Sequence, residues 1–101
     1  MGQVKKRKIE LLAPAKKFSC GIAAIDHGAD AVYIGGPAFS ARAAAANSVE
    51  DIAKLVLHAH LYGARVYVAL NTVFSDAELE SAVELSHELH DVGVDALIIQ
   101  D

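Results

Sequence analysis

The sequence predicts a parallel α/β fold in which short strands alternate with helices, and three observations predict it. First, four short apolar runs contain the β-branched and aromatic residues typical of buried strands, and they cover residues 9–13, 31–34, 65–70 and 96–99. Second, amphipathic helical patterns separate these runs. Third, each helical pattern stops at a glycine, which suits the left-handed position that ends a helix. These glycines are Gly28, Gly63 and Gly93, and they recur about every 30 to 35 residues, the length of one helix plus one strand.

The helices are predicted from their starts and from apolar stripes at helical spacing. The first helix spans about residues 16–27. Ser48 is a typical N-cap for the second, because its side chain can accept a hydrogen bond from the first helical turn. Ser75 and Glu78 form a capping box for the third. The stripes are Phe18, Ile22 and Ile25, then Ile52, Leu55, Val56 and Ala59, then Leu79, Ala82, Val83 and Leu89.

The residues that follow the three glycines are similar and provide an alignment of the strands. They read Gly-Ala-Asp-Ala, Gly-Ala-Arg-Val and Gly-Val-Asp-Ala, and we expect the charged residue of each to lie in solvent. Counting forward from the glycines places Gly36, Asn71 and Asp101 at one level, just past the ends of their strands. Because side chains alternate between the faces of a strand, one face should meet the helices with Val66, Val68 and Leu70. The face predicted to point inward carries Glu10, Leu12, Ile34, Tyr67, Ala69, Leu97 and Ile99.

Parallel strands joined in this way predict about half of a TIM-type (β/α)8 barrel, whose usual size is about 250 residues. The chain has 101 residues. We therefore expect a basic tail at residues 1–8, followed at residues 9–101 by the first four strands and three helices of such a barrel, as part of a larger chain. The alternative is an open flavodoxin-like sheet. The two differ in strand order, which is 1-2-3-4 in the barrel and 2-1-3-4 in the open sheet.

Both architectures bind ligands at the carboxyl ends of the strands, which limits the candidate residues. Gly35 and Gly36 follow the second strand, where glycine lets the backbone turn and leaves room for a ligand. Arg42 comes soon after them, and its planar guanidinium would clamp a carboxylate or a phosphate. The alternative for Arg42 is an ion pair with a neighbouring loop. We predict these three residues as substrate-binding residues.

Three further polar residues are candidates for catalysis. Asn71 ends the third strand, where it would either orient a substrate or close the top of the core. Asp101 follows the fourth strand, a position that suits an acid, a base or a ligand. Glu10 would place a carboxylate low in the core.

Composition narrows the classes of function. A hydrophobic share of 53% with 22% charged residues is typical of a well-packed globular segment, and no apolar run is long enough to span a membrane. The net charge of −4 argues against general nucleic-acid binding by this segment. The single cysteine, Cys20, excludes an internal disulfide and a multi-cysteine metal site, and we expect it to be a small buried residue.

The histidines predict packing and surface roles. His87 and His90 are three residues apart, whereas a zinc helix motif needs four, so we expect a solvated surface and no metal there. We expect His58 to lie in solvent. His60 is expected to make a hydrogen bond on the packed side of its helix.

Several stretches together resemble one family. They are residues 10–14 (ELLAP), 28–36 (GADAVYIGG), 39–42 (FSAR), 71–72 (NT) and 93–101 (GVDALIIQD), with Ala59, His60 and Gly63. These stretches look like the start of the collagenase-like peptidases, peptidase family U32, whose N-terminal region is a TIM-type barrel. One position departs from the family, which commonly has glycine where this chain has Lys16.

The resemblance leads to three hypotheses for the function. The first is a peptidase in which Arg42, Asn71 and Asp101 line the pocket, although the residues identify no nucleophile. The second is an iron–sulfur-dependent, oxygen-independent hydroxylase of tRNA or rRNA bases. Such family members hold the cluster with cysteines after this region, so the resemblance implies a cluster in the full-length parent and no cofactor in this segment. The third is a non-enzymatic half-barrel module that self-associates.

The predicted half barrel would expose the inner face of its sheet and both edge strands. Exposed apolar surface of this extent usually marks an interface, so we expect a homo-oligomer, a dimer or larger, formed through that face and those edges. The expected substrate of the parent is a peptide or RNA, and no membrane partner is expected. The absence of a signal-peptide pattern predicts a cytoplasmic location.

Overall fold

The structure, a computed structural model, describes residues 9–36, 47–71 and 76–100. Within these ranges four strands alternate with three helices, as the sequence predicts. The elements are β1 (Leu12–Ala15), α1 (Phe18–Asp26), β2 (Ala31–Gly35), α2 (Val49–Leu61), β3 (Arg65–Asn71), α3 (Asp76–Asp91) and β4 (Ala96–Gln100). The predicted basic tail and the Ser75 cap lie outside the described residues.

The four strands form a single parallel sheet in the order β1-β2-β3-β4. This is the order predicted for consecutive units of a βα barrel. It differs from the order 2-1-3-4, so the flavodoxin-like alternative is wrong. The buried core joins one face of the sheet to residues of all three helices, and we call this face the outer face. The opposite face is the inner face, which points into the barrel when such a sheet closes.

Each helix ends in the way that its glycine predicts. Gly28, Gly63 and Gly93 have φ angles of 103°, 74° and 95°, a conformation in which a side chain would be strained. The residue after each glycine donates its backbone N–H to a carbonyl in the last turn of the helix, which closes that turn. At the start of α2, the Ser48 side chain accepts the backbone N–H of Asp51 at 3.1 Å, which confirms the predicted N-cap.

Two aspartates, each two residues after a helix-ending glycine, join the start of a strand to the preceding strand. The Asp30 carboxylate accepts the backbone N–H of Leu11 at 2.8 Å, and the Asp30 N–H donates to the Leu11 carbonyl at 2.9 Å. Asp95 makes the same pair of hydrogen bonds with Val66, at 2.8 and 3.0 Å. We call these contacts the aspartate clamps. The expectation that these charged residues lie in solvent is therefore wrong for Asp30, which is partly buried, whereas Asp95 is exposed as expected although its carboxylate is hydrogen-bonded.

The clamps explain a one-residue error in the predicted alignment of the strands. Arg65 stands where the two clamps have aspartate, but a guanidinium cannot accept a hydrogen bond, and β3 begins at Arg65 itself. In β2 and β4 the clamping residue instead comes before the strand. The predicted inward positions of Ile34 and Leu97 are consequently wrong, because both residues pair with Val68 on the outer face. The inward prediction for Ile99 is wrong for the same reason, since it pairs with Leu70.

The predicted faces of β3 from Val66 to Leu70, and of Leu12 in β1, are confirmed. The outer residues of β3 are at most 3% exposed, and they are Val66, Val68 and Leu70. Tyr67 and Ala69 alternate with them and lie on the inner face, where both are half-buried. Leu12 shares that face and is 53% exposed.

The first clamp also explains why β1 begins at Leu12 rather than at Ile9. Leu11 bonds Asp30 through both of its backbone groups, and its carbonyl also accepts the N–H of Ala31 at 3.2 Å. Regular pairing with β2 starts only at the next residue. Ile9 and Leu11 therefore precede the sheet, and they are 85% and 55% exposed.

Helix α1 packs through one side, and Cys20 lies on the other. Ile25 is buried, and Phe18 is partly buried against the core. Gly21 lies so close to α2 that an added Cβ would be 2.9 Å from Leu55 Cδ1. Cys20 is exposed, so the prediction that it is buried is wrong.

We expect Asp95→Ala to lower the free energy of unfolding by about 1–3 kcal/mol, because the N–H of the fully buried Val66 would lose its acceptor. Asp95→Asn keeps an oxygen acceptor and should cost less. Urea unfolding followed by circular dichroism measures both variants. The matched control is Asp91→Ala, which removes an exposed carboxylate at the end of α3. Equal losses in the two alanine variants would contradict the role of the clamp.

Candidate functional site

The strands bring part of the predicted site to one edge of the sheet, which we call the carboxyl edge because all four strands end there. Gly35 ends β2 and Asn71 ends β3. In the register, Gly35 of β2 pairs with Ala69 of β3. Asn71 lies two residues after Ala69 in β3 and pairs with Gln100 of β4. Gly36 therefore lies one level below Asn71, and the prediction that the two share a level is wrong.

The two glycines at the end of β2 have different environments. Gly36 donates its N–H to the Ala69 carbonyl at 2.9 Å. A Cβ added to Gly36 would be 2.6 Å from Leu70 Cδ2 and 3.0 Å from Val68 Cγ1, so packing against β3 requires glycine there. A Cβ on Gly35 would meet no described atom within 4 Å, which leaves space for a ligand. Neither glycine has a positive φ, so a sharp turn is not the reason for either.

Asn47 lies at the carboxyl edge and was not predicted from the sequence. It is 8% exposed, and its side-chain Nδ2 donates to the carbonyl oxygens of Lys16 at 3.1 Å and Gly35 at 3.0 Å. The amide thus connects the turn after β1 to the end of β2. In the sequence it stands directly before the N-cap Ser48, a position that indicates only the start of a helix.

The amino half of the inner face carries a polar group. Arg65 donates a hydrogen bond to the Tyr67 hydroxyl, which raises the pKa of Arg65, and the carboxylates of Glu10 and Asp95 raise it further. Tyr67 pairs with Tyr33 in the register, so two tyrosines lie side by side in the middle of the face. Because the Glu10 carboxylate raises the pKa of Arg65, the first residue of β3, Glu10 lies near the start of that strand and away from the carboxyl edge.

The structure brings together three of the six predicted site residues. Gly35, Gly36 and the backbone of Asn71 lie at the carboxyl edge, while Glu10 lies at the opposite edge. Arg42 and Asp101 fall outside the described residues, so their roles stay predictions.

Two histidines of α2 form hydrogen bonds with aspartates of neighbouring elements. His58 Nε2 lies 2.7 Å from Asp26 Oδ1, and its ring packs on Tyr62 with the centroids 4.9 Å apart. The prediction that His58 lies in solvent is therefore wrong. His60 Nε2 lies 2.9 Å from Asp95 Oδ2, the oxygen of the second clamp. The predicted hydrogen bond of His60 is confirmed, but its side chain is 43% exposed and is not on the packed side.

The residues of this chain do not fit an iron–sulfur cluster by themselves. Such clusters usually need four thiolates, and the chain has one cysteine. Within residues 9–36, 47–71 and 76–100, no three His, Cys, Asp or Glu side chains are grouped so that they could hold a metal ion. His87 and His90 are exposed on α3, as expected. In the same ranges, no helix combines the length and the apolar character needed to cross a membrane.

The fold defines the class of protein as one built from consecutive parallel βα units with a candidate site at their carboxyl edge. The sequence profile of peptidase family U32 matches residues 16–101. The chain belongs to peptidase family U32, which confirms the resemblance seen in the sequence.

Relatives within the family have different descriptions. The chain is 55% identical over 98 residues to the "23S rRNA 5-hydroxycytidine C2501 synthase" of Escherichia coli (strain K12), which covers 97% of this chain and 15% of that protein. It is 36% identical over 96 residues to "tRNA hydroxylation protein P1" of Bacillus subtilis (strain 168), covering 94% and 23%. It is 30% identical over 94 residues to "Collagenase" of Porphyromonas gingivalis, covering 91% and 23%. The chain thus spans less than a quarter of the length of these relatives.

We expect Gly36→Ala to destabilise the chain by about 1–3 kcal/mol, because its Cβ would overlap the buried side chains of Leu70 and Val68. The adjacent variant Gly35→Ala is the matched control, and it should change stability by less than about 0.5 kcal/mol because its Cβ enters open space. Thermal and urea unfolding measure both. A Gly36→Ala variant as stable as Gly35→Ala would contradict the packing role of Gly36.

Proposed function

We propose that the protein takes part in the hydroxylation of RNA bases, with ribosomal RNA as the substrate. The observation that carries the proposal is the 55% identity, over 97% of this chain, to the E. coli 5-hydroxycytidine synthase of 23S rRNA. Relatives described as tRNA hydroxylation proteins are 34–36% identical over similar lengths. Because the chain spans 15% of the synthase, we assign catalysis to a complete barrel that includes this segment.

In this proposal, the segment contributes the carboxyl ends of four strands to the substrate site. The open space beside Gly35, next to Ala69 on the inner face, would admit part of the base. Asn71 and Asp101 are the proposed polar contacts to the base, and Arg42 is the proposed contact to an RNA phosphate. These assignments follow from their positions at or after strand ends. Glu10 lies near Arg65, away from the carboxyl edge, and this position favours electrostatic stabilisation of the Arg65 guanidinium over a role in catalysis.

The family resemblance implies that such hydroxylases use an iron–sulfur cluster, which would supply the redox chemistry. One cysteine does not provide the usual four ligands, so we propose ligands outside this segment and derive no catalytic step from its residues. A substrate in ribosomal RNA also favours the predicted cytoplasmic location.

A peptidase is the second candidate, favoured by the name of the family and by the 30% identity to a collagenase. The geometry of the described residues offers it less support. Cys20 is exposed on α1, and the two α2 histidines pair with aspartates in the outer layer. Neither arrangement sets a nucleophile beside a base at the carboxyl edge.

A segment exchange tests the proposed substrate. The corresponding segment of the E. coli synthase is replaced by residues 9–101 of this chain, and the chimera is expressed in an E. coli strain that lacks the synthase. We expect 5-hydroxycytidine to reappear in 23S rRNA, measured by mass spectrometry of nuclease-digested RNA, because the two segments are 55% identical. A soluble chimera that leaves the rRNA unmodified would contradict the proposal.

The control chimera carries the matching segment of the B. subtilis tRNA hydroxylation protein, which is 36% identical to this chain. It should restore much less 5-hydroxycytidine if this segment contributes to the choice of RNA. Gelatin hydrolysis that copurifies with the first chimera, without rRNA modification, would favour the peptidase instead.

We further propose that isolated copies of this chain self-associate through the inner face and the two edge strands. Within the described residues, β1 and β4 each have one neighbour in the sheet, so each presents an open edge that can pair with another strand. Leu12 adds exposed apolar surface on the inner face next to one edge. Two copies related by a two-fold axis along the strands would pair β4 of each with β1 of the other, closing an eight-stranded barrel.

We expect Leu12→Asp to lower the dimer fraction, because it places a charge on the proposed interface. Leu57→Asp is the matched control, since Leu57 is 68% exposed on α2, in the helical layer. Ile99 is unsuitable for this test because it lies on the outer face. Sedimentation velocity at micromolar concentration measures the change. A folded wild-type monomer under these conditions would rule out self-association.

A further inference from the structure

We propose that Asn47 is a positioning residue for the candidate site, because its side-chain amide sets the separation between the turn after β1 and the end of β2. A single nitrogen, Nδ2, donates to two main-chain carbonyls on different βα units, those of Lys16 at 3.1 Å and Gly35 at 3.0 Å. The Asn47 side chain is held inside the fold, since the residue is 8% exposed. The activity part of this inference rests on the proposed function, whereas the geometric part does not.

Asn47 acts together with Gly36 to hold the end of β2 from both sides. The Asn47 amide ties the Gly35 carbonyl toward β1. The Gly36 N–H donates to the Ala69 carbonyl at 2.9 Å and ties the next residue toward β3. Gly35 lies between these two ties, next to the space that a ligand would enter. The backbone at Gly35 is therefore fixed although the residue has no side chain to pack.

Both acceptors of the Asn47 amide are backbone atoms, so the contact does not depend on which side chains stand at those positions. The carbonyl of Lys16 can accept this hydrogen bond whichever side chain the residue carries. The Asn47 amide thus contacts the main chain on two sides of the site. A carboxylate at position 47 could not make these contacts while ionised, because it has no donor.

The first experiment uses the 101-residue chain and compares Asn47→Leu with Asn47→Asp by ¹H–¹⁵N NMR. We expect Asn47→Leu to shift the amide resonances of Lys17 and Gly36, which follow the two acceptor carbonyls. The amide resonance of Arg65, at the opposite edge of the sheet, should not change. The ionised aspartate of Asn47→Asp would face two carbonyl oxygens, which raises its folded-state pKa above the unfolded value. Relative to the wild type at the same pH, that variant should gain stability as the pH falls through the folded pKa, because the protonated group can donate again.

The second experiment separates positioning from stability alone in the chimera that restores 5-hydroxycytidine. Asn47→Leu is compared with Asp95→Ala, which removes a hydrogen bond at the opposite edge of the sheet, at a temperature where both chimeras are folded. We expect Asn47→Leu to lower the rRNA modification rate per folded enzyme by about 10- to 100-fold, as misplaced substrate-binding groups do. Asp95→Ala should keep the rate within about twofold. Asn47→Gln, which retains the amide donors, should recover part of the loss.

Either of two results with Asn47→Leu would overturn the inference. One is an Asn47→Leu chimera that modifies rRNA as fast as Asp95→Ala, which would leave Asn47 with a stabilising role only. The other is an Asn47→Leu chain in which Lys17 and Gly36 keep their wild-type resonances. A wild-type chimera without activity would contradict the proposed function instead, and the NMR comparison would still decide the geometric part. If Asn47→Leu does not fold, the pH dependence of Asn47→Asp decides it, and a stability that does not rise relative to the wild type on acidification counts against the inference.

Discussion

The carboxylates of Asp30 and Asp95 accept a backbone N–H from the chain at the start of the preceding strand, and these two contacts fix the starts of the β1–β2 and β3–β4 pairs. Each aspartate also returns its own N–H to the same residue of that strand. A two-point contact of this kind fixes which residues lie opposite each other, and a slip of one residue would move every side chain to the other face. The clamps therefore favour the observed register of these two strand pairs, in which the outer residues enter the core.

Stabilising contacts lie at both edges of the sheet, while the candidate site lies at the carboxyl edge. The clamps, the helix-ending glycines and the Arg65–Tyr67 contact all lie toward the amino ends of the strands. At the carboxyl edge, Asn47 and Gly36 hold the end of β2. In βα barrels the loops after the strands vary with function, while the other end of the barrel maintains the fold. The candidate site can therefore differ between relatives without a change of architecture.

The sequence predicted the order, type and parallel direction of the elements because hydrophobic periodicity and helix-ending glycines are local signals. The predicted alignment of the strands failed where residues at equivalent positions differ in their ability to accept a hydrogen bond. Asp30, Arg65 and Asp95 look equivalent after their glycines, yet only the aspartates can accept a hydrogen bond, and the faces of Ile34 and Ile99 were wrong for that reason. At the candidate site, the position of Gly35 was predictable from the end of its strand. The role of Asn47 was not, because its partners are 31 and 12 residues away and both are backbone atoms.

The register between β3 and β4 tests the central role of the clamps most directly. Nuclear Overhauser effects in a methyl-labelled sample of the 101-residue chain report which side chains share a face. The clamped register places the Leu97 methyl groups beside Val68 on the outer face, so we expect cross-peaks between these two residues. Cross-peaks from Leu97 to the Tyr67 ring, without those to Val68, would place Leu97 on the inner face and contradict the role of Asp95 in setting the register.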